Sequence, residues 1–370
     1  MKKLIFKKFH IDTSIFFITS LVIMSLIVWT IQAVNYFDFV TEDGHGFKVY
    51  FMYTLLNFPK ILQRILPFMF FVSLFYTLIN YELKNEMNIF WFNGVSKISF
   101  VKKLISFSLF IMLFQLFLSS YLSPLSQLEA RKYLKNSDIS FFSSLINKGK
   151  FINITKGLTI FIEKKNPNGS YENIFLEDFS QSSSKMIYAK NGIIIDIEKN
   201  KIFRLFQGEI INNEENKVNK FSFDEIDINL KNFSTNTIVV PKIQEINSLS
   251  LIKCLNLKSN LNKRFDNFSC EIKLMNEIKE ELLKRFYQPF YIPLITLLCA
   301  FLVIFSKNNV KYKNIIKIVF LITFTTLLFS EASLRYTSVL SGIYLVLFLI
   351  TPVVLFVISY LLFLKFTRYV

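Results

Sequence analysis

The sequence predicts an α-helical integral membrane protein of six transmembrane helices with an inserted all-β domain of sandwich or jelly-roll type. Three observations carry the prediction. Hydrophobic residues make up 52% of the 370 positions, with 44 Phe against 9 Gly, and the mean hydropathy of +0.40 exceeds what a soluble core of this length needs. The apolar residues are gathered into six long stretches rather than spread along the chain. Between the third and fourth stretches the sequence turns polar and β-like.

A hydrocarbon core of about 30 Å needs roughly 20 apolar residues per helix. Residues 14–36, 65–81, 104–123, 286–306, 315–334 and 339–364 meet that need. The second stretch is the shortest and starts with Arg64 and Pro67. The first is long and lacks a small-residue cleavage site, so it reads as a retained span rather than a signal peptide. The layout divides as 1–123 with three spans, 124–245 as the β domain with its entry linker, 246–285 as a helical connector, and 286–370 with three more spans.

Charge orients the spans. The N-terminal segment, the 82–103 and 307–317 loops and the C-terminal segment carry 14 basic residues against Asp12, Glu82 and Glu86. The short segments of the opposite side balance to zero. By the positive-inside rule both termini are expected in the cytoplasm and the insert outside it. The net charge of +16 also raises nucleic-acid binding, but many of the bases, such as Lys7, Lys8, Lys102 and Lys103, flank apolar stretches instead of forming one groove-facing patch.

Within the insert, 151–155, 158–163, 174–179, 185–189, 193–198, 202–206, 208–211 and 221–230 read as short strands, with Asn191–Gly192 as a turn signal. Residues 249–285 turn helical, with Ile272, Met275, Ile278 and Leu282 at helical spacing. Cys254, Cys270 and Cys299 have no metal-ligand spacing. Cys254 and Cys270 can pair in an oxidising compartment; free thiols are the expectation.

No enzyme is expected, and no cofactor. Gly149–Lys150–Phe151 lacks the first Gly and the Ser or Thr of a phosphate-binding loop, and no GxSxG or HExxH occurs. The informative stretch is YELKNEMNIFWFNGVS at 81–96, read as a short amphipathic helix over 82–96 that ends at Gly94. Glu82 and Glu86 at i and i+4 would share a face, and Ile89, Phe90, Trp91 and Phe92 offer apolar contact area, with Phe90 and Trp91 taken with Gly94 as the docking residues. Its plain alternative is an interfacial helix lying on lipid. The favoured reading is a docking helix for a cytoplasmic partner bearing Arg or Lys. At the outer ends of the spans stand Lys60, Arg64, Lys284, Arg285 and Arg335, each explicable by snorkelling and together a candidate lipid-headgroup set. Glu331, one turn before Arg335, is placed to pair with it.

These residues resemble the LptF/LptG permease family of the bacterial lipopolysaccharide exporter. The resemblance covers essentially the whole chain. Leu66–Pro67, Glu86–Met87 and Gly94–Val95–Ser96 look like the family's "LP … E(M/L) … G(V/I/L)S" run. Leu122–Ser123–Pro124, Glu281–Arg285–Pro289, Tyr188–Ala189–Lys190–Asn191–Gly192 and Gln207–Gly208 fit in order. Residues 27–40 look more like the LptF branch.

The resemblance implies an inner-membrane permease with a periplasmic β-jelly roll, paired with a homologous LptG-like permease. It implies a cytoplasmic LptB-like ATPase dimer docking on the 82–96 helix, with ATP hydrolysed by that partner, and a periplasmic LptC/LptA-like jelly-roll protein receiving lipopolysaccharide. Glu86 would be the coupling residue, and spans one and five would line a lateral gate. The family's bases near the outer end of span one are not matched, since Gln32 and Asn35 stand there. Two alternatives remain: another mechanotransmitting ABC permease, and a membrane sensor or scaffold with an outer β domain.

Overall fold

The computed structural model describes residues 2–37, 47–145, 149–155, 158–166, 168–178, 184–197, 200–214, 217–229, 242–256, 264–265, 268–270, 274–336 and 343–369. The chain divides into two compact units, one of residues 1–32, 56–128 and 242–370, the other of 33–55 and 129–241. Six helical segments are long and apolar enough to cross a membrane: Lys2–Asn35, Phe47–Leu83, Lys97–Leu134, Met275–Val303, Tyr312–Leu334 and Phe348–Arg368. They match the six expected stretches, and the β insert follows the third.

The helices are α1 (Lys2–Asn35), α2 (Phe47–Leu56), α3 (Phe58–Leu83), α4 (Met87–Phe92), α5 (Lys97–Phe117), α6 (Ser123–Leu145), α7 (Ser248–Asn256), α8 (Met275–Phe286), α9 (Tyr291–Ala300), α10 (Tyr312–Tyr336) and α11 (Ile343–Tyr369). A π-turn, Leu118–Leu122, joins α5 to α6, so the helix runs well past the expected end at Ser123. Pro67 sits inside α3, and Pro289 lies in a 3₁₀ turn (Gln288–Phe290) between α8 and α9. Proline lacks the N–H that helix continuation needs, so the chain changes pitch at that turn.

The membrane unit packs around α9, which is buried at nine of its ten residues. Tyr287 ties it to α11 by donating to Phe348 O at 2.6 Å. By contrast α1 and α11 keep long apolar stripes on the surface, with Ile23, Ile31, Val353 and Leu361 each more than half exposed. A soluble protein would bury such stripes; spans surrounded by lipid have no need to.

After α6 the insert is a β domain, as expected, and its described strands form one antiparallel sheet. Its strands β1 (Phe151–Thr155), β2 (Leu158–Lys165), β3 (Ser170–Asp178), β4 (Ser184–Ile197), β5 (Asn200–Glu214) and β6 (Lys217–Asn229) pair in sequence order as a six-stranded meander. Asn191–Gly192 is not a turn. It lies inside β4, where Gly192 pairs with Tyr171 and Leu205. The runs taken as separate strands at 185–189 and 193–198 are therefore one strand, as are those at 202–206 and 208–211.

The misreading has a physical origin in one row of residues, Asn173, Lys190, Gln207 and Asp224. Asn173 and Gln207 adopt left-handed backbone, φ 53° and 51°. On one side of the row the buried residues are Ile174, Leu176, Ile187 and Ala189; on the other they are Tyr171, Phe203 and Leu205, so the inward alternation shifts by one residue. A strict period of two breaks there, and the pattern mimics a turn. Gly192 is required by packing, because a Cβ would stand 2.5 Å from Ile174 and 2.9 Å from Leu205. Gly208 is tighter still, with a Cβ meeting the Tyr188 carbonyl at 2.1 Å.

Phe151, Phe161, Phe175 and Tyr188 stand directly opposite one another across four strands, on the side away from Ile160, Leu176 and Ile187. Rings 151 and 161 lie 4.7 Å apart and rings 175 and 188 lie 4.9 Å apart. They line a groove of about 700 Å³.

Candidate functional site

The α3–α4–α5 corner is built by two helix ends of the same design. At the end of α3, Asn85 takes φ 61°, its N–H donates to Glu82 O and the Glu86 N–H donates to Tyr81 O. At the end of α4, Gly94 takes φ 69°, its N–H donates to Trp91 O and the Val95 N–H donates to Phe90 O. Both are Schellman motifs, and each stops its helix by satisfying the last carbonyls. Ser96 then caps α5 by accepting from the Ser99 N–H at 3.2 Å.

This geometry corrects the expectation of one helix over 82–96. Asn85 breaks it, so Glu82 belongs to the end of α3 and Glu86 to the start of α4, and the two carboxylates do not share a helical face. Glu82 is occupied within the chain: it accepts the Lys307 N–H at 2.8 Å, while Lys307 Nζ donates to Leu83 O at 3.1 Å. Glu86 is half-buried and makes no ion pair with a described residue.

Phe90, expected as an outward anchor, is fully buried instead. It packs edge-on against Phe100 of α5 at 5.0 Å and against Phe6 of α1 at 5.3 Å. Trp91 is half-buried beside Phe100. The outward apolar residues of α4 are Phe92, 88% exposed, and Ile89, 47% exposed. Period 3.6 explains the split: Met87, Phe90 and Trp91 point inward, leaving Ile89 and Phe92 three apart on the other side. Gly94 ends the helix, as expected, as the left-handed residue after the C-cap Asn93, and its carbonyl accepts from Lys2 Nζ at 3.0 Å. A further contact that the sequence does not reveal is the hydrogen bond from the Tyr81 hydroxyl to the Asp12 carboxylate, which ties α1 to α3.

The outer-end bases have different fates. Arg285, a headgroup candidate in the sequence, is 0% exposed. Its guanidinium donates to Glu281 at 2.9 Å, to Ile246 O at 2.8 Å, to Ser248 Oγ at 3.0 Å and to Gln244 O at 2.9 Å. Such a fork is saturated by protein acceptors and has none to spare for phosphate. Lys60 is half-buried with Arg64, Lys242, Glu245 and Glu281 as its charged neighbours, and Arg64 is exposed. Lys284 is half-buried. The Arg335 side chain lies outside the described residues. Glu331 accepts from Gln288 Nε2.

Arg285 thereby fastens a small connector. Ile246, Leu251, Cys254, Cys270, Ile278 and Leu282 form its core, and Cys254 and Cys270 are joined by a disulfide, Cα–Cα 6.0 Å, where free thiols were expected. Sequence spacing alone does not bring them together; the β7–β8 hairpin (Arg264–Phe265 with Phe268–Ser269) between them does.

With this architecture in view, the family profile described as "Lipopolysaccharide export system permease LptF/LptG" matches residues 12–365. The chain belongs to the LptF/LptG permease family. An uncharacterized protein, RP871, of Rickettsia prowazekii (strain Madrid E) is 26% identical over 213 residues. That match spans 57% of this permease and 59% of the relative. The family description names both branches, so it assigns the permease to LptF/LptG as a whole. The family is described as the permease of a lipopolysaccharide export system, and the six long apolar helices fit a multi-pass membrane protein.

Proposed function

We propose that the chain is the membrane subunit of an ABC-type lipopolysaccharide exporter, worked by a separate cytoplasmic ATPase that docks on α4. The observation that carries the reading is the two-sidedness of α4. Its inner face is locked to α1 and α5 by Phe90, and its outer face offers Phe92 and Ile89 beside the Glu86 carboxylate, which has no ion-pair partner among the described residues. An exposed aromatic anchor next to a carboxylate suits a partner surface with an apolar socket and an Arg or Lys. A force on α4 would pass directly into α1 through the Phe6–Phe90 and Phe9–Phe90 ring contacts, while the Asp12–Tyr81 hydrogen bond ties α1 to α3 beside it.

In this reading ATP hydrolysis by the partner moves α1 and its neighbours and expels the glycolipid from the outer leaflet. No passive route serves a lipid with several acyl chains, at about 0.8 kcal/mol per buried CH₂. The β insert lies in the periplasm and hands the lipid to a periplasmic jelly-roll partner. Two independent features favour that orientation: the basic residues gathered on the α4 side, and the Cys254–Cys270 disulfide, which forms in an oxidising compartment.

The test is co-purification with the ATPase and the paired permease on a tag carried by the ATPase. Wild type is expected to co-purify, with Glu86→Lys and Phe92→Ala losing the ATPase. Failure of wild type to co-purify would overturn the exporter mechanism in favour of a sensor or scaffold.

A further inference from the structure

A crevice of about 450 Å³ opens between α1 and α3 at the end where α4 begins. The two helices supply matching layers. The inner layer is Ile15, Phe16, Thr19, Tyr76 and Thr77, with the Phe16 and Tyr76 rings stacked at 4.5 Å and both threonine hydroxyls bonded to carbonyls of their own helices. About one turn outward stand Asp12, Asn80 and Tyr81, and outermost Lys8, Lys84 and Glu86. From Lys8 to Thr19 the wall rises about 16 Å, at 1.5 Å per residue. Ile15 and Tyr76 are 57% and 50% exposed, so the apolar layer is open on its lipid side.

We propose that this crevice binds a zwitterionic phospholipid with a primary-amine headgroup, the ethanolamine class. The layering matches such a lipid: acyl chain against Phe16 and Tyr76, ester carbonyls beside the Asn80 amide, phosphate between Lys8 and Lys84, and ammonium outermost at Glu86. Charge selects the class. Lys8 and Lys84 face Glu86, while Asp12 already accepts from the Tyr81 hydroxyl, so an anionic headgroup would leave Glu86 unmatched, whereas a phosphate with its own ammonium matches both signs. Lys8, Lys84 and Glu86 pair neither with one another nor with other described residues, so they are available. A choline headgroup has no N–H to give a carboxylate, and the crevice's open aromatic rings, Phe16 and Tyr76, lie in the inner layer away from where its cation would sit, while Tyr81 is buried and bonded to Asp12. Glu86 has lone pairs enough to accept from the lipid ammonium and from a protein partner together. The inference requires only that α1 and α3 lie in a bilayer, and it stands whether or not an ATPase docks on α4.

The experiment is native mass spectrometry of the full-length chain, delipidated in detergent and titrated with dioleoyl phosphatidylethanolamine, phosphatidylcholine, phosphatidylglycerol or deacylated glycerophosphoethanolamine. One phosphatidylethanolamine is expected to be retained, with the other three about tenfold weaker or absent, and Lys8→Ala/Lys84→Ala, which removes two charge-assisted contacts, is expected to weaken it by about a hundredfold. Equal or tighter phosphatidylglycerol binding, equal binding of the deacylated compound, or an unaffected double variant would each overturn the proposal. Should the double variant fail to fold, a diazirine-labelled phosphatidylethanolamine on wild type decides. Label within 8–19 and 76–86 supports the site, and label only elsewhere, including on a protein neighbour that fills the crevice, refutes it.

Discussion

Replacing Arg285 with Met separates a structural tie from a lipid contact. The guanidinium is wholly buried and gives four hydrogen bonds of 2.8–3.0 Å, one of them to Glu281, whose side chain is 17% exposed. Met fills much of the volume but leaves the Glu281 carboxylate and the carbonyls of Gln244 and Ile246 without their donor. Breaking a buried ion pair costs about 3–5 kcal/mol, and two orphaned acceptors place the expected loss near the top of that range. Arg285→Lys keeps the charge without the planar fork and should fall between. Glu281→Leu together with Arg285→Met should recover about 1–3 kcal/mol relative to the single variant, because no carboxylate is then stranded.

Thermal unfolding of the purified protein in detergent, followed with a thiol-reactive dye, reads this directly. Cys299 is buried and free while Cys254 and Cys270 are bonded, so dye reaction reports opening of the helical unit. An Arg285→Met variant that melts with wild type but loses lipid-dependent activity would refute the structural account and restore Arg285 as a headgroup ligand.

Four further outcomes are expected. The Cys254–Cys270 bond closes a loop of sequence separation 16; Cys254→Ser should cost about 3 kcal/mol by loop entropy, and a maleimide-polyethylene glycol gel shift should show these two thiols only after reduction. Gly208→Ala should unseat the β insert, since the new methyl meets the Tyr188 carbonyl, and limited proteolysis within 184–214 should rise sharply; unchanged digestion would contradict the packing at that row. Asn85→Gly should be neutral or slightly stabilising at φ 61°, whereas Asn85→Val should destabilise by about 1–2 kcal/mol and loosen ATPase binding, as read by melting and pull-down.

The fourth concerns pH. Hydrogen bonding to Arg204 holds the Asp227 carboxyl below its usual 3.8. With the folded-state value lowered, the pair's contribution is complete above the unfolded value and fades as pH falls through the folded one. Asp227→Asn should thus melt below wild type at neutral pH and converge with it as pH falls below about 4, and a difference that persists undiminished in acid would contradict the assignment.

Much of this protein follows from composition and spacing. Six spans were legible because leaving roughly 20 apolar residues in water is prohibitive, and a polar β-rich insert could sit only between the third and fourth. The Gly94 cap was legible too, since a glycine after an apolar run has one common use. Other features depend on neighbours distant in the chain. Asn85 ends α3 because three backbone bonds close around it, and that separates two glutamates whose spacing suggested one face. Phe90 turned inward because Phe6 and Phe100 wait there, while its neighbour Phe92 had nothing to cover it. Asn191–Gly192 became strand because left-handed Asn173 and Gln207, on the strands either side of β4, shifted the inward alternation at that row. Arg285 became a tie rather than a ligand because Gln244, Ile246 and Ser248, some 40 residues earlier, supply its acceptors. Local sequence determines which segments must leave water or end a helix; which side chain meets which acceptor is set only when the chain returns to the same place.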